Sequence, residues 1–493
     1  MSSFFSGLDT FLVGLFVLTQ ILYLSGFLLE GYFFASPINW VDESRISDLR
    51  WESLPNIVLF YPVLREPVDT MHTTMISLTR MNYPPDKFRV VAIPNSNDLV
   101  TIDHLKNLQK DFPFLELMEV PPTSDPSWDC VWESWEKNPK AYWFHKGERA
   151  GNRDLPPKKT RQLIYASYNM AKQRQEDGSG SFLINYIDAD SCLPPDHFLH
   201  GAVGAASFDV CQATNVAGNL NETIWSSWYA FDHMAWDGLK FAHLSANGNH
   251  PYWMLGKGLF FWSHDIVELG GFHPWLTIED PEVGMRFWTN GKRMGVIRTA
   301  VIEEAPESFE VGSKQRTRWV AGFFQSLSTP LKDMGMPLSG RIKAWLNFAP
   351  LLNFVVNWFG LPLGIWALVV WYNGTSPLPG WTTGFAGFNI IVYLVAMTHL
   401  YINTWRRTAL VLDTRRERLW YMFRVNPIFI QIHWLLWAYP VVKGWIWYLR
   451  DGGLVWEPTR KVNSMEELIV HQGDRPSQAG IASSSGGPVS LSS

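Results

Sequence analysis

Long uncharged stretches alternate with ordinary amphipathic sequence along this chain, and the alternation divides it. Leu8 to Leu29 is nearly free of charge, and about twenty apolar residues are enough to cross a hydrocarbon core about 30 Å thick. Residues 1–34 are expected to be an uncleaved membrane anchor. A cleaved signal peptide is the alternative, but no basic segment precedes the stretch, and bulky Tyr32-Phe33-Phe34 follow it instead of small residues. After a linker at 35–53 the pattern shortens. Asn56 to Tyr61, Phe88 to Ile93 and Phe114 to Val120 read as strands, with helices at Asp69 to Met81 and Thr101 to Asp111 between them. That is a parallel sheet being wound. Thr123 to Arg153, polar and rich in Trp, reads as an irregular surface excursion. Pro156-Pro157 then open a helix running to about Lys172.

A further strand is expected at Phe182 to Ile187, a helix at Pro195 to Ala206 and a strand at Phe208 to Thr214. A long Trp-rich helix follows from about Asn219 to Ser245, then a strand at Leu259 to Trp262 and a helix opening at Asp280. The α/β pattern fills 54–312. Residues 313–344 read as amphipathic helices lying along a membrane. In 345–405, Trp345 to Trp371 and Thr382 to Asn403 are long enough to span, the first broken or kinked at Pro350 and Pro362. Arg406, Arg407, Arg415, Arg416 and Arg418 make 406–424 a basic loop, which the positive-inside rule puts in the cytosol. Val425 to Leu449 is apolar but carries Gln431, His433, Pro440 and Lys443, so it is expected to be interfacial or re-entrant. Residues 450–472 form a separate segment, and the Ser/Gly/Pro tail at 473–493 is expected to be disordered.

Composition sharpens this. The 26 Trp, 31 Phe and 16 Tyr among 493 residues exceed what a soluble core needs. A net charge of −5 without a basic tract excludes nucleic acid as a partner. Cys130, Cys192 and Cys211 are an odd set without metal-like spacing, read as reduced thiols, which favours a cytosolic insert.

The chemistry concentrates where the Phe182 strand stops, at Asp188-Ala189-Asp190. Ligands of open α/β sheets bind beyond the carboxyl ends of the strands, and an acid-x-acid pair there can share a hard divalent cation that bridges a diphosphate. Pro194 and Pro195 prevent the strand from continuing. Alone, Asp-x-Asp is a common tripeptide. The loops at 62–67 and 94–98 end the first two strands, where a nucleotide could lie. Lys158, Lys159 and Arg161 crowd a helix start, against the macrodipole, which a bound diphosphate would explain; a solvated basic face is the plainer account. Glu279 and Asp280 could equally be helix caps, and Gln315-Arg316-Thr317-Arg318-Trp319 an interfacial basic-aromatic stretch.

Taken in order, Asp188-Ala-Asp190, Gly256-x-Gly258, Gly270-Gly271-Phe272, Ile278-Glu279-Asp280 and Gln315-Arg316-Thr317-Arg318-Trp319 give a set that none of them gives singly. The chain resembles the processive family 2 glycosyltransferases of the cellulose-synthase-like superfamily, bacterial type, over about residues 54 to 461. The resemblance implies a GT-A nucleotide-sugar (Rossmann-like) domain inserted between transmembrane helices of the plasma (inner) membrane, with that domain cytosolic. It implies Mg2+ or Mn2+ held by Asp188 and Asp190, and Asp280, beside Glu279, as the general base. Donor contacts would fall to Pro62, Glu66, Asn95, Lys158, Asp188 and Arg318, and acceptor contacts to Gln315, Trp319, Gly256 and Gly258. Trp456 to Lys461 looks like the family's segment that closes over the donor, with Thr459 and Arg460 near the diphosphate. Two positions depart from the pattern: Ile278 replaces a Thr, and Asn95 stands where an Asp usually meets uracil. The implied activity is inverting transfer from a UDP-sugar, with UDP-glucose the first expectation, to a β-linked polysaccharide, with secretion and any secretion partner left open. Single addition to a lipid-linked acceptor and an inactive membrane scaffold are the alternatives.

Overall fold

The computed structural model describes residues 2–245 and 248–451. The expected lid at Trp456 to Lys461, with Thr459 and Arg460, and the expected tail lie outside the described residues.

Seven strands form one mixed sheet in the order β3-β2-β1-β4-β6-β5-β7. These are β1 (Ile57–Tyr61), β2 (Phe88–Ala92), β3 (Leu115–Leu117), β4 (Leu183–Tyr186), β5 (Val210–Ala217), β6 (Leu259–Trp262) and β7 (Met294–Glu303). β1 lies between β2 and β4, parallel to both. The chain therefore leaves β1 to opposite sides, which opens a crevice at the carboxyl ends of β1 and β4. The sheet is not wholly parallel, because β6 runs antiparallel to β4 and β5. β7, not expected from the sequence, pairs with β5 and ends on Glu303. Ile57, Leu59 and Tyr61 enter one core while Val58 and Phe60 enter another, so both faces of β1 are buried, as its unbroken apolar run requires.

The expected surface excursion at 123–153 is a correction. Trp128, Trp132, Trp135 and Trp143 are buried in the larger core, and Trp128, Trp132 and Trp135 follow the i, i+4, i+7 rhythm of one helical face. Helix Asp280–Thr289 is braced from inside. Arg286 forms a bidentate pair with Glu282 at 2.7 and 3.0 Å and donates to the carbonyls of Leu269 and Gly271 at 2.6 and 2.7 Å. Both side chains are almost completely buried. Replacing Arg286 with Met leaves the Glu282 carboxylate without its counter-ion, and is expected to cost about 3–5 kcal/mol, read as a clear fall in the thermal midpoint.

Among the described residues three helices are long and apolar enough to cross a membrane: Leu8–Phe34, Leu338–Tyr372 and Gly380–Thr408. The second is interrupted by a tight turn at Ala349–Leu351, around Pro350, and continues through Pro362. Arg415–Arg424 and Pro427–Arg450 form a pair bent by 52°, which has the shape of a broken span or a re-entrant loop. Of the polar residues of that last helix, Lys443 is exposed as expected, whereas Gln431 and His433 turn inward. Gln431 donates to the Tyr393 hydroxyl at 2.7 Å and His433 Nε2 meets Asp232 at 2.9 Å, so both side chains find protein partners. Among the ties that hold the apolar helices to the sheet domain are an ion pair between Glu30 and Lys240 and Arg407 donating to the Asn215 carbonyl at 2.6 Å.

Candidate active site

The turn after β4 is fastened by its middle residue. The Ala189 carbonyl accepts from the Tyr61 hydroxyl at 2.7 Å and from Thr74 Oγ1 at 2.8 Å, while Cys192 and Ile302 exchange backbone hydrogen bonds at 2.8 and 3.0 Å. Asp188 and Asp190 are thereby offered from a fixed edge. Asp190 is buried, its Oδ2 accepting from the Glu304 amide at 3.4 Å, whereas the Asp188 side chain is 42% exposed. On the opposite loop, Arg65 adopts φ 56°, a left-handed conformation uncommon outside glycine, and the next residue, Glu66, lines a cavity shared with Asp188 and Asp190.

That cavity measures about 220 Å3. Asp188, Asp190, Glu279, Asp280, Pro62, Glu66, Gly256, Gln315, Arg318 and Trp319 all line it, so most of the residues singled out in the sequence converge there. Lys158 does not. It stands in extended backbone just before helix Lys159–Glu176, and the next side chain, Lys159, enters the cavity instead, pairing with Asp188 and, at 3.6 Å, with Glu279. Burial alone would lower the Lys159 pKa, but Asp188 and Glu279 hold it above the ordinary range. Asn95 is also outside the cavity wall; its Oδ1 accepts from Arg161 at 3.1 and 2.5 Å. Gly258 turns the backbone at φ 61° against Ala213 and Val301 and is not part of the wall.

Asp280 Oδ2 accepts from the Gly256 amide at 3.1 Å. A Cβ at Gly256 would come within 2.6 Å of the Tyr186 hydroxyl, so only glycine lets this backbone approach so closely. Tyr186 in turn donates to Glu279. Burial first, then neighbouring Glu279, push the Asp280 carboxyl up to about 8, with Lys159 opposing. On helix Phe309–Ser328, Arg316 lies with its guanidinium carbon 4.1 Å from the Trp319 ring centroid and donates to Gln315 Oε1 at 2.7 Å. One face of Trp319 is therefore taken by Arg316.

The sequence reading overlooked several wall residues. Asp232, His233 and Asp237 come from helix Ile224–Ala235 and the wider π-turn at Trp236–Lys240 that follows it. Lys257 pairs with Glu303 and lies 3.6 Å from Asp237. A π-turn inside a helix was the one feature that marks such sites in other proteins, and it is visible only in three dimensions.

The carboxylates suit a hard cation. Nine acidic side chains line the cavity against four lysines and arginines, and the Glu303 carboxyl is pushed up to about 7, by burial first and then, against Lys257, by Asp190 and Asp188. Among the described residues no group of three or more His, Cys, Asp or Glu side chains is gathered as a ligand set. Two protein carboxylates with the remaining positions left to diphosphate and water is a normal arrangement for Mg2+.

Residues 183–409, which include the Asp188 turn, the Asp280 helix and the Trp319 helix, match the family model described as glycosyl transferase family group 2. This stretch is a glycosyltransferase family 2 domain. A probable glycosyltransferase of Sulfolobus acidocaldarius is 20% identical over 322 residues, covering 62% of this chain. The chain spans only 57% of the length of that relative. Among solved structures, the mannosyltransferase PcManGT from Pyrobaculum calidifontis, in complex with GDP-Man and Mn2+, superposes with TM-score 0.51 at 13% identity, covering 89% of this chain and 99% of that one. The family 2 domain and its flanking helices thus share a glycosyltransferase fold. TarS from S. aureus, in complex with UDP-GlcNAc, gives TM-score 0.30 at 11% identity over 80% and 92% of the two chains, too loose to bear on the fold.

Proposed function

We propose that this chain is an inverting, metal-dependent glycosyltransferase of a cell membrane, taking sugar from a UDP-sugar, UDP-glucose first, to extend a β-linked polysaccharide. The observation that carries the reading is the Asp280 carboxyl, half-buried beside the buried Glu279 in the cavity that the Asp188 and Asp190 turn also enters. Asp280 takes the proton of the acceptor hydroxyl as that oxygen bonds to the anomeric carbon, and the bond from that carbon to the diphosphate breaks with its electron pair leaving on the diphosphate. Asp188 and Asp190 would hold Mg2+ or Mn2+, which would supply positive charge against that building on the leaving group. Lys159 and Arg318 supply positive charge from the protein, and Gln315 and Trp319 hold the acceptor ring. The PcManGT complex with GDP-Man and Mn2+ supports a nucleotide-sugar donor with a divalent metal.

The catalytic domain is read as cytosolic, because the arginine-rich end of Gly380–Thr408 docks on it through Arg407 and the positive-inside rule keeps that end inside. A second reading, one addition to a lipid-linked acceptor, is favoured by the far wall of the cavity. Leu351, at the break before helix Leu352–Tyr372, and Trp437, on the last apolar helix, both face it. Purified protein offered UDP-glucose, UDP-GlcNAc and GDP-mannose with Mn2+ should release one nucleoside diphosphate, and the product size then separates polymer from single addition. Release from none of them would sink the enzyme reading.

Trp319→Ala removes a ring but no charge. Transfer to acceptor is expected to fall about tenfold while slow donor hydrolysis stays near wild type. Equal losses in both assays would make Trp319 a structural residue only.

A further inference from the structure

Two wall residues have no part in that chemistry. Asp232 and His233 are adjacent on helix Ile224–Ala235, 3% and 5% exposed, and both line the cavity. The Oδ2 atom of Asp232 is fully engaged: His433 Nε2 lies at 2.9 Å, Trp437 Nε1 donates at 2.8 Å and the Arg316 guanidinium is 3.8 Å away. Its other oxygen, Oδ1, has no hydrogen-bond partner in the protein.

His233 repeats the arrangement. Its Nδ1 lies 2.8 Å from Asp237 Oδ2. Burial would raise the Asp237 pKa, but Lys257 and His233 outweigh it and keep the carboxyl ionised, so Asp237 can only accept and the hydrogen must sit on Nδ1. Burial, against the pull of Asp237, keeps the ring neutral. Nε2 is then an acceptor, and it too has no partner in the protein. Two buried acceptors without a donor are costly unless a ligand supplies the hydrogens.

The ligand's chemistry follows from the surroundings. It must bring at least two hydrogen-bond donors. Arg316 already pairs with Asp232 and Lys257 with Asp237, so neither carboxylate needs a counter-charge from the ligand. Trp319 meets His233 edge-on at 6.4 Å between centroids, and Trp437 completes an aromatic wall. Neutral hydroxyls beside aromatic rings describe a pyranose. We infer that Asp232 Oδ1 and His233 Nε2 are the hydroxyl-binding atoms of a neutral saccharide subsite, whose floor is assembled only when helix Pro427–Asp451 docks His433 and Trp437 onto Asp232. Calling that saccharide the acceptor rests on the transferase reading; binding of the sugar does not.

Full-length protein in lipid nanodiscs is titrated with cellobiose and with α-1,2-mannobiose, each followed by saturation-transfer-difference NMR, and UDP and GDP binding with Mn2+ are measured in parallel. At least one disaccharide should bind the wild type. His233→Phe keeps a ring of similar size but lacks Nε2, and Asp232→Asn turns one acceptor into a donor; each should weaken that disaccharide about tenfold and leave nucleotide binding unchanged. If Asp232→Asn does not fold, His233→Phe decides alone. Binding of neither disaccharide to the wild type, or an unchanged affinity in His233→Phe, overturns the subsite. Loss of the transferase reading looks different: no nucleotide binds, and the disaccharide still does.

Discussion

Asp280→Asn is expected to lower transfer by about a thousandfold or more while leaving nucleotide affinity close to wild type. The amide cannot take a proton, yet it keeps the shape that the Gly256 amide and the cavity wall require. In the proposed mechanism the nucleotide is held by Asp188, Asp190, Lys159 and Arg318, which line the same cavity and which the substitution leaves in place. The pH profile makes a stricter test. A carboxyl pushed up to about 8 is protonated, and useless as a base, at lower pH. Wild-type kcat/KM for the acceptor should therefore fall about tenfold per pH unit on the acid side and level off above the Asp280 pKa, because it reports the protonation of the enzyme form that the acceptor meets. The residual activity of Asp280→Asn should lack this limb. Near-normal turnover in the variant, or a wild-type profile flat from pH 6 to 9 (about three units), would remove Asp280 as the base.

The residues that were legible in the sequence share one property: their chemistry is written within a few consecutive positions. Asp188-Ala-Asp190 follows an unmistakable buried strand, and Gln315 to Trp319 puts four functional side chains on about one turn of helix, so both reach the cavity together. Lys158 against Lys159 shows where that ends. Consecutive side chains at a helix start point in different directions, and which one faces the cavity depends on where the first helical residue falls, here Lys159. Asn95 lies outside the wall for a related reason: it follows the second strand, but Arg161 from a neighbouring helix takes its side-chain oxygen.

Other parts of the site were illegible because partners far apart in sequence define them. Asp232 looks like an ordinary polar residue in a Trp-rich helix until His433 and Trp437, about two hundred positions later, close on it. The same contact overturned the expectation that His433 seeks water. Polar groups on an apolar helix are costly only when unpaired, and sequence alone does not reveal the pair. The buried tryptophans at 128, 132 and 135 were legible in principle: their spacing is helical, and the polar residues between them hid it.

Removing the divalent metal is expected to have the other largest effect. The bare cavity wall carries nine carboxylate side chains and four cationic ones, so a diphosphate entering it meets net repulsion even with Lys159 and Arg318 present. On the proposed mechanism, nucleotide binding is then linked to a cation that Asp188 and Asp190 would hold. In chelator, UDP affinity should drop about a hundredfold or more and activity should vanish, both returning with Mg2+ or Mn2+. Asp190→Ala should reproduce the loss in the presence of metal. Asp190→Asn keeps an acceptor for the Glu304 amide, so a defect as large in Asn as in Ala identifies the lost charge as the cause, whereas recovery in Asn points to the fastening of the turn. The salt dependence supplies the sign check. Metal-free nucleotide binding, being repelled, should tighten as salt screens the carboxylates, while metal-loaded binding, being attractive, should weaken. Undiminished activity in chelator, or metal-free binding that weakens with salt, would take the cation out of the mechanism and leave Lys159 and Arg318 to neutralise the leaving group unaided.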